Sequence, residues 1–251
     1  MILNSPLLRE FVHGFSTRAG GVSEGPFHAL NLGRSLGDRP SAVTENRRRF
    51  AEAARYDANA LVEAHQVHGA AVRVIDPGED PAASSQKPAD ALIGRDGVTV
   101  GIRVADCVPI LIADPKTGWV AAVHAGWRGI VAGVVQETFR ALYRLGASPA
   151  DCCAAIGPHI EACHFEVGED VASQIQAAAA GATVVFEDSG SLRVSLEAAV
   201  RAQILDAGLS ADRIDRIAGC TFAEQDRFFS YRRDSGTTGR HLAVIQSREA
   251  S

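Results

Sequence analysis

The chain has 251 residues and a formal net charge of −5, from 25 Lys and Arg against 30 Asp and Glu. Hydrophobic residues make up 46% and charged residues 22%, an ordinary globular composition with enough length for one large domain or two small ones. The acidic balance argues against a nucleic-acid binder, and no apolar run approaches the roughly 18 residues of a membrane span.

Residues 11–16 read as a first strand. Residues 18–37, rich in Gly and Asn, predict a long ordered loop, and 41–56 a basic amphipathic helix carrying Arg47, Arg48 and Arg49. Residues 61–64 look extended, and the Pro/Ser/Ala stretch at 77–88 predicts an exposed loop. Val98, Val100, Ile102 and Val104 alternate with Thr99, Gly101 and Arg103, the pattern of a half-buried strand. Residues 108–113 are apolar on both faces and predict a central strand; 119–123 predict another, ending at His124. The clearest helix is 128–145, where Ile130, Val134, Val135, Phe139 and Leu142 share a face and Gly146 supplies the stop. A βα-like segment covers 152–178 and a further helix 195–207; strands are predicted near 214–218, 228–231 and 241–246. Several strands follow one another directly. That pattern favours an α/β fold of mixed sheets flanked by helices over a parallel doubly wound one.

The five cysteines, Cys107, Cys152, Cys153, Cys163 and Cys220, are odd in number and form no C-x-x-C pair. They do not make a disulfide framework, so a reducing cytoplasm is expected. The first residues, MILNSPLLREFVHGF, lack a basic region followed by an apolar one, and no signal peptide is expected there.

Three residues stand out for ligand chemistry: His68, Cys107 and His124. Two imidazoles and a thiolate suit Zn²⁺ with a fourth position open, hence a catalytic site. Copper, which outranks zinc at N/S donors, would fit the same place. The residues alone leave other readings open: Cys107 as a buried apolar thiol with hydrogen-bonded core histidines, or Cys107 as a nucleophile with His124 as its base. His65 and His68 are expected to point in different directions, only one of them being a ligand. Gly126, Arg128 and Gly129 open the helix after His124, where an anion or phosphate would be favoured. Asp106 and Asp90 are candidates for orienting a histidine or acting as general acid. His159 and His164 are weaker candidate ligands, and Phe228–Arg233 could stack on or clamp an aromatic or acidic ligand.

A series of strings occurs in order along the chain. They are Ser16-Thr17-Arg18 with Gly20-Gly21-Val22-Ser23, Leu30-Asn31-Leu32-Gly33, Glu45-Asn46-Arg47, Gln66-Val67-His68-Gly69, Ala105-Asp106-Cys107-Val108-Pro109, His124-Ala125-Gly126-Trp127-Arg128-Gly129, Ile156-Gly157-Pro158, Phe165-Glu166-Val167-Gly168, and Phe228-Phe229-Ser230-Tyr231-Arg232-Arg233. Together they resemble the laccase-domain, polyphenol-oxidase-like family of zinc-dependent purine nucleoside phosphorylases, over about residues 11–246. The resemblance implies one α/β domain over 1–251, akin to the catalytic domain of deamidating toxins. It implies zinc on His68, Cys107 and His124, and substrate-facing roles for Arg18, Asn31, Arg47, Gln66 and Arg232. The activities implied are phosphorolysis of adenosine, inosine, guanosine and methylthioadenosine, deamination of adenosine, and a link to editing of peptidoglycan precursors. The partners expected are therefore small molecules, a purine nucleoside and phosphate. Val104 stands where many members have Thr, and Cys163-His164-Phe165 where many have Cys-Cys-Tyr.

For that chemistry Asp106 is the expected acid, and Arg47 or Arg128 the expected phosphate holder. A multicopper oxidase is disfavoured: the eight histidines include no His-x-His pair, and Met1 is the sole methionine for an axial ligand. The runner-up is an amide hydrolase on cell-wall precursors, with Cys107 as nucleophile. A non-enzymatic ligand-binding module is the third reading.

Overall fold

The computed structural model describes residues 1–249. Its strands in chain order are β1 (Ile2–Leu3), β2 (Val12–Ser16), β3 (Leu61–Val62), β4 (Val72–Ile75), β5 (Ala91–Gly94), β6 (Thr99–Val104), β7 (Val108–Ala113), β8 (Val120–Ala125), β9 (Cys153–Ile156), β10 (Glu166–Val167), β11 (Val185–Asp188), β12 (Ser191–Val194), β13 (Ile214–Arg216) and β14 (His241–Gln246). The α-helices are α1 (Pro40–Ala54), α2 (Pro81–Ser84), α3 (Trp127–Ala132), α4 (Val134–Arg144), α5 (Glu169–Ala178) and α6 (Leu196–Asp206). The strands form a five-stranded sheet ordered β1-β2-β14-β6-β3, a six-stranded sheet ordered β13-β9-β7-β8-β5-β4, and a small sheet β10-β12-β11. Both large sheets mix parallel and antiparallel pairs, as the directly successive strands predict.

The two large sheets pack face to face. Alternate residues of each strand point into the space between them: Phe15, Val100, Ile102 and Val104 from one sheet meet Leu92, Leu111, Ala113, Val120 and Ala155 from the other. The opposite face of the six-stranded sheet, with Ile93, Ile110, Ile112 and Val123, is covered by Ile130, Val135, Phe139, Ile175 and Val200 of the helices α3 to α6. The opposite face of the five-stranded sheet carries Leu61, Leu242 and Val244 and is covered by Phe50, Ala51 and Ala54 of α1, with Leu30 and Leu32 of the long loop. The result is four layers: helix, sheet, sheet, helices. Because both faces of β7 and β8 are buried, these strands are apolar throughout.

Three expectations are corrected. The helix expected over 128–145 is two helices, parted at Gly133, whose φ of 84° is left-handed and whose N–H closes α3 on Gly129 and Ile130. Apolar periodicity runs through the break because both halves pack on the same sheet. Residues 228–231 form turns rather than a strand, with Phe228 N–H bonded to the Glu224 carbonyl and Gly236 N–H to that of Tyr231. Phe228 and Phe229, adjacent in sequence, are both fully buried, which a strand's alternating faces would not allow on an outer layer. Finally, β8 runs on to Ala125, so His124 lies inside the strand and not at its end.

Phe228 and Phe229 enclose His241, whose ring lies 5.5 and 5.2 Å from theirs. Its Nε2 accepts the Phe229 N–H at 2.8 Å and so carries no proton. Burial, reinforced by Arg18, pushes its pKa down to about 3. Burial also lowers His13 and His159. At these three histidines the unfolded chain, with imidazoles near 6.5, therefore binds more protons than the folded one below about pH 6.5, and for His241 down to about pH 3. This stability is present above pH 6.5 and is lost as pH falls through that window. Thermal unfolding from pH 7 to 5 is expected to show it, His241 contributing a slope of up to about 1.4 kcal/mol per pH unit. His241→Asn should flatten the profile by that share; an unchanged slope would contradict the assignment.

Candidate metal centre

The site sits where the chain passes between the two sheets. β6 belongs to the five-stranded sheet and β7 to the six-stranded one, and Ala105, Asp106 and Cys107 make the crossing. Cys107 is thereby fixed at the mouth of β7. On the neighbouring strand His124 lies opposite Pro109, and Ala125 opposite Val108, which brings the imidazole to the thiol. His68 arrives on the loop between β3 and β4 with a positive φ of 60°. Ligand atoms of His68, Cys107 and His124 lie within 4.8 Å of one another. The two imidazole rings are edge to face, with centroids 4.8 Å apart.

Gly126 completes the wall. A Cβ there would stand 3.0 Å from the Cys107 sulfur and 3.0 Å from Cδ2 of His68. A side chain there would crowd two of the donors, each of which would have to give by a few tenths of an ångström.

Behind the three donors lies Asp90, fully buried just before β5. One oxygen, Oδ1, accepts from His124 Nδ1 at 2.8 Å and from the His68 N–H at 2.9 Å. Oδ2 accepts the N–H groups of Gly69 at 2.7 Å and Val67 at 3.2 Å. Burial works against the charge of this carboxyl, but His124 and the loop N–H groups outweigh it and hold its pKa below the usual value. With Nδ1 of His124 donating to Asp90, Nε2 is left to face the thiol. This carboxylate–imidazole pairing is the usual way a metal-binding histidine is oriented.

The thiol and His124 titrate against each other. Burial opposes ionisation of Cys107, yet the adjacent His124 and His68 draw its pKa well below that of a free cysteine. Burial likewise opposes the imidazolium of His124, and the Cys107 thiolate and Asp90 overcome it and raise its pKa. A thiolate is what a metal requires, and metal binding would displace the proton resting on His124. Two nitrogens and one sulfur at this spacing fit a zinc-type ion with a fourth position open.

The other residues singled out in the sequence are placed as follows. Asp106 is buried next to Cys107; one carboxylate oxygen accepts from Thr221 Oγ1 at 2.6 Å and the other from the Arg232 N–H at 2.7 Å. It ties the 221 and 232 turns to the site, and both oxygens are engaged. Arg128 is exposed, with its guanidinium 4.3 Å from the centre of the Trp127 ring. Arg47 is buried, donating to the Leu32 carbonyl and paired with Glu63. Gln66 exchanges two hydrogen bonds with the Arg103 backbone, both 2.8 Å. Asn31 is fully buried and accepts the N–H groups of Gly33 and Arg240. Arg18 donates to the carbonyls of His28 and Gln225 and lies over Phe229.

Arg232 donates to the Glu166 carbonyl and lines an open cavity of about 550 Å³ with Cys163, His164, Arg193 and Phe222. His159 is bonded to the Gly157 carbonyl, while His65 bridges to Pro88 through the backbone. Neither histidine belongs to the group of three donors. The residues that sequence reasoning missed are Glu63, Arg34, Arg103 and Arg240. A signal existed only for Arg103, the one charge on a strand whose other alternate positions are uncharged.

No helix among the described residues is long and apolar enough to cross a membrane. The pattern of the multi-copper polyphenol oxidoreductase laccase family matches residues 12–248. The chain is 42% identical over 249 residues to a purine nucleoside phosphorylase of Deinococcus radiodurans, covering 96% of this chain and 92% of that one. It is 41% identical to a purine nucleoside phosphorylase of Streptomyces coelicolor, covering 92% and 93%. Among solved structures, YlmD of Geobacillus stearothermophilus superposes with a TM-score of 0.89 at 35% identity, over 98% of this chain and 94% of that one. The hypothetical protein YfiH of Bacillus licheniformis gives 0.90 at 30% identity, over 96% and 94%. On sequence pattern and fold together, this chain belongs to the laccase-like polyphenol oxidoreductase family.

Proposed function

We propose that this protein is a zinc-dependent purine nucleoside phosphorylase that uses His68, Cys107 and His124 as metal ligands. The observation that carries the reading is the convergence of these three donors from three separate segments, with Asp90 orienting His124. The relatives named purine nucleoside phosphorylase, matched over nearly the whole chain, support it. In the reaction a phosphate oxygen attacks C1′ of the ribose and the C1′–N9 bond breaks. The bonding pair leaves with the purine, which takes up a proton. A bound zinc ion would supply Lewis-acid charge at the floor of the site. Asp90 holds the His124 tautomer, and Gly126 leaves room for the ligands beside it. The substrates proposed are adenosine, inosine, guanosine and methylthioadenosine, with deamination of adenosine as an accompanying activity.

One observation favours a second reading. Cys107, His124 and Asp90 also stand in the order nucleophile, base and orienting carboxylate, as a cysteine hydrolase acting on an amide such as a cell-wall precursor would need. His68 speaks for the metal instead, because such a triad has no use for a third donor. A copper oxidase relay has less support. Among the described residues one such donor group is found, whereas a multicopper enzyme needs several copper sites.

The test is metal removal. Dialysis against a chelator is expected to abolish ribose-1-phosphate formation from adenosine and inosine, and added zinc to restore it. Full turnover in metal-free protein would overturn the zinc reading and favour the thiol nucleophile.

A further inference from the structure

Cationic charge beside the metal centre outnumbers the carboxylates that face it. Glu63 is buried and faces Arg47 and Arg103, with Arg103 Nε at 3.4 Å from Oε1. That Glu63 oxygen has no hydrogen-bond partner. Arg34 lies close enough for its charge to act on the same carboxylate. One carboxylate thus serves three guanidinium groups. Arg240 adds a fourth; its hydrogen bonds go to the carbonyls of Thr238 and Gly239, and its guanidinium lies over the Tyr231 ring.

The fold forces three of these arginines together. Arg103 pairs with Leu242 across β6 and β14. Arg240 stands just before β14, two residues from Leu242, and its charge acts on that of Arg103. The loop before α1 is laced to Arg240: Leu32 N–H donates to its carbonyl at 3.0 Å, and Asn31 Oδ1 accepts its N–H at 3.0 Å. At Gly33 a Cβ would meet the Arg240 side chain at 2.8 Å, so the glycine lets the loop lie against it. Arg34 is the next residue. It is exposed and, among the described residues, makes no hydrogen bond or ion pair.

Like charge is felt here. Arg47 first, then burial and Arg103, lower the pKa of Arg34; burial and Arg103 lower that of Arg240, which is also within electrostatic reach of Cys107 and Asp106. Guanidinium groups stay protonated at neutral pH regardless, so crowding them disfavours the empty arrangement and an anion relieves it.

We infer that Arg34, Arg103 and Arg240 form the subsite for the inorganic phosphate co-substrate, on the five-stranded-sheet side of the metal centre. The inference rests on the phosphorylase reading and moves the phosphate away from Arg47 and Arg128. Arg47 acts as a positioning residue: through Glu63 it holds Arg103, and through the Leu32 carbonyl it holds the loop that carries Arg34.

The test uses the zinc-loaded enzyme and inorganic phosphate. Arg34→Gln and Arg240→Gln are each expected to raise KM for phosphate about tenfold or more, the loss of a charge-assisted contact. KM for inosine should stay within about twofold, and Arg34→Lys should recover part of the loss. Arg34→Gln removes no bond within the protein, so its folding is not in question. Binding of inorganic phosphate followed by ³¹P NMR without nucleoside should weaken in parallel. Unchanged phosphate KM in both variants overturns the subsite and leaves the phosphorylase reading standing. Phosphate binding that is lost in the variants, in an enzyme that turns over no nucleoside, overturns the phosphorylase reading and leaves the subsite. Loss of adenosine 5′-monophosphate binding with inorganic phosphate binding intact would assign the arginines to a phosphate ester and overturn the proposal.

Discussion

Cys107→Ala is expected to lower phosphorolysis by at least about a thousandfold and to remove most of the bound zinc. That exceeds the roughly 10–100-fold cost of losing a group that merely orients a ligand, because the sulfur is one of the three donors proposed for the ion. The fold should survive. Cys107 is only partly buried, and when the thiolate is gone His124 keeps its hydrogen bond to Asp90 and can release its proton rather than stay charged and unpaired. The metal-free variant should therefore unfold within a few degrees of the metal-free parent. Cys107→Asp separates the two roles a thiolate can play. A carboxylate is an accepted zinc ligand but does not replace a thiolate nucleophile. If zinc and some turnover persist in Cys107→Asp and vanish in Cys107→Ala, the residue is a ligand. If both variants hold zinc and neither turns over substrate, the thiolate is the nucleophile. Full activity in Cys107→Ala would remove both roles.

The parts of this protein that local chemistry determines could be read before the fold was known. β7 coincides with the apolar run at 108–113 and β14 with 241–246, since a strand buried on both faces needs no partner to reveal itself. The split at Gly133 escaped because both helices pack on one sheet and keep one apolar stripe. The short strands β4, β5, β11 and β12 also went unread; four residues are too few for a period to show.

At the site, His68, Cys107 and His124 stood out by residue type, and Asp90 was a candidate for orienting a histidine. Which carboxylate served which role depended on register. Ala91 lies opposite Val123, which sets Asp90 beside His124, whereas Asp106 is turned to Thr221 and Arg232. Nothing local in either sequence neighbourhood encodes that pairing. The same holds for Arg103 and Arg240, which are brought together by β6 and β14, far apart in the chain. Residues such as Asn31, Arg47 and Gln66, drawn from conspicuous strings, prove to make the hydrogen bonds that hold the loops around the site.

Asp90→Ala is expected to be the most damaging single change outside the donors. It removes acceptors for four hydrogen bonds at once, from His124 and from the N–H groups of Val67, His68 and Gly69. Only the His124 bond is fully buried; the three loop N–H groups are partly open to water, so each contributes less than the roughly 1–3 kcal/mol of a buried unpaired donor, and the terms do not simply add. A total of about 3–5 kcal/mol, the range for breaking a buried charged pair, corresponds to a fall in Tm on the order of 10 °C. The functional effect is separable from that loss. Without the carboxylate, His124 is free to adopt either tautomer and the loop carrying His68 loses its anchor. Zinc affinity, measured by competition with a chromogenic chelator well below the variant's Tm, should fall about 10–100-fold. Asp90→Asn keeps one oxygen acceptor but sets an amide NH₂ against N–H donors, so it should lie between the alanine variant and the parent in both readouts. An Asp90→Ala protein that is destabilised yet holds zinc with parental affinity would reduce the carboxylate to a tie for the 67–69 loop. A protein that loses zinc affinity in proportion to the hydrogen bonds removed makes it the group through which β5, β8 and that loop are aligned on one metal.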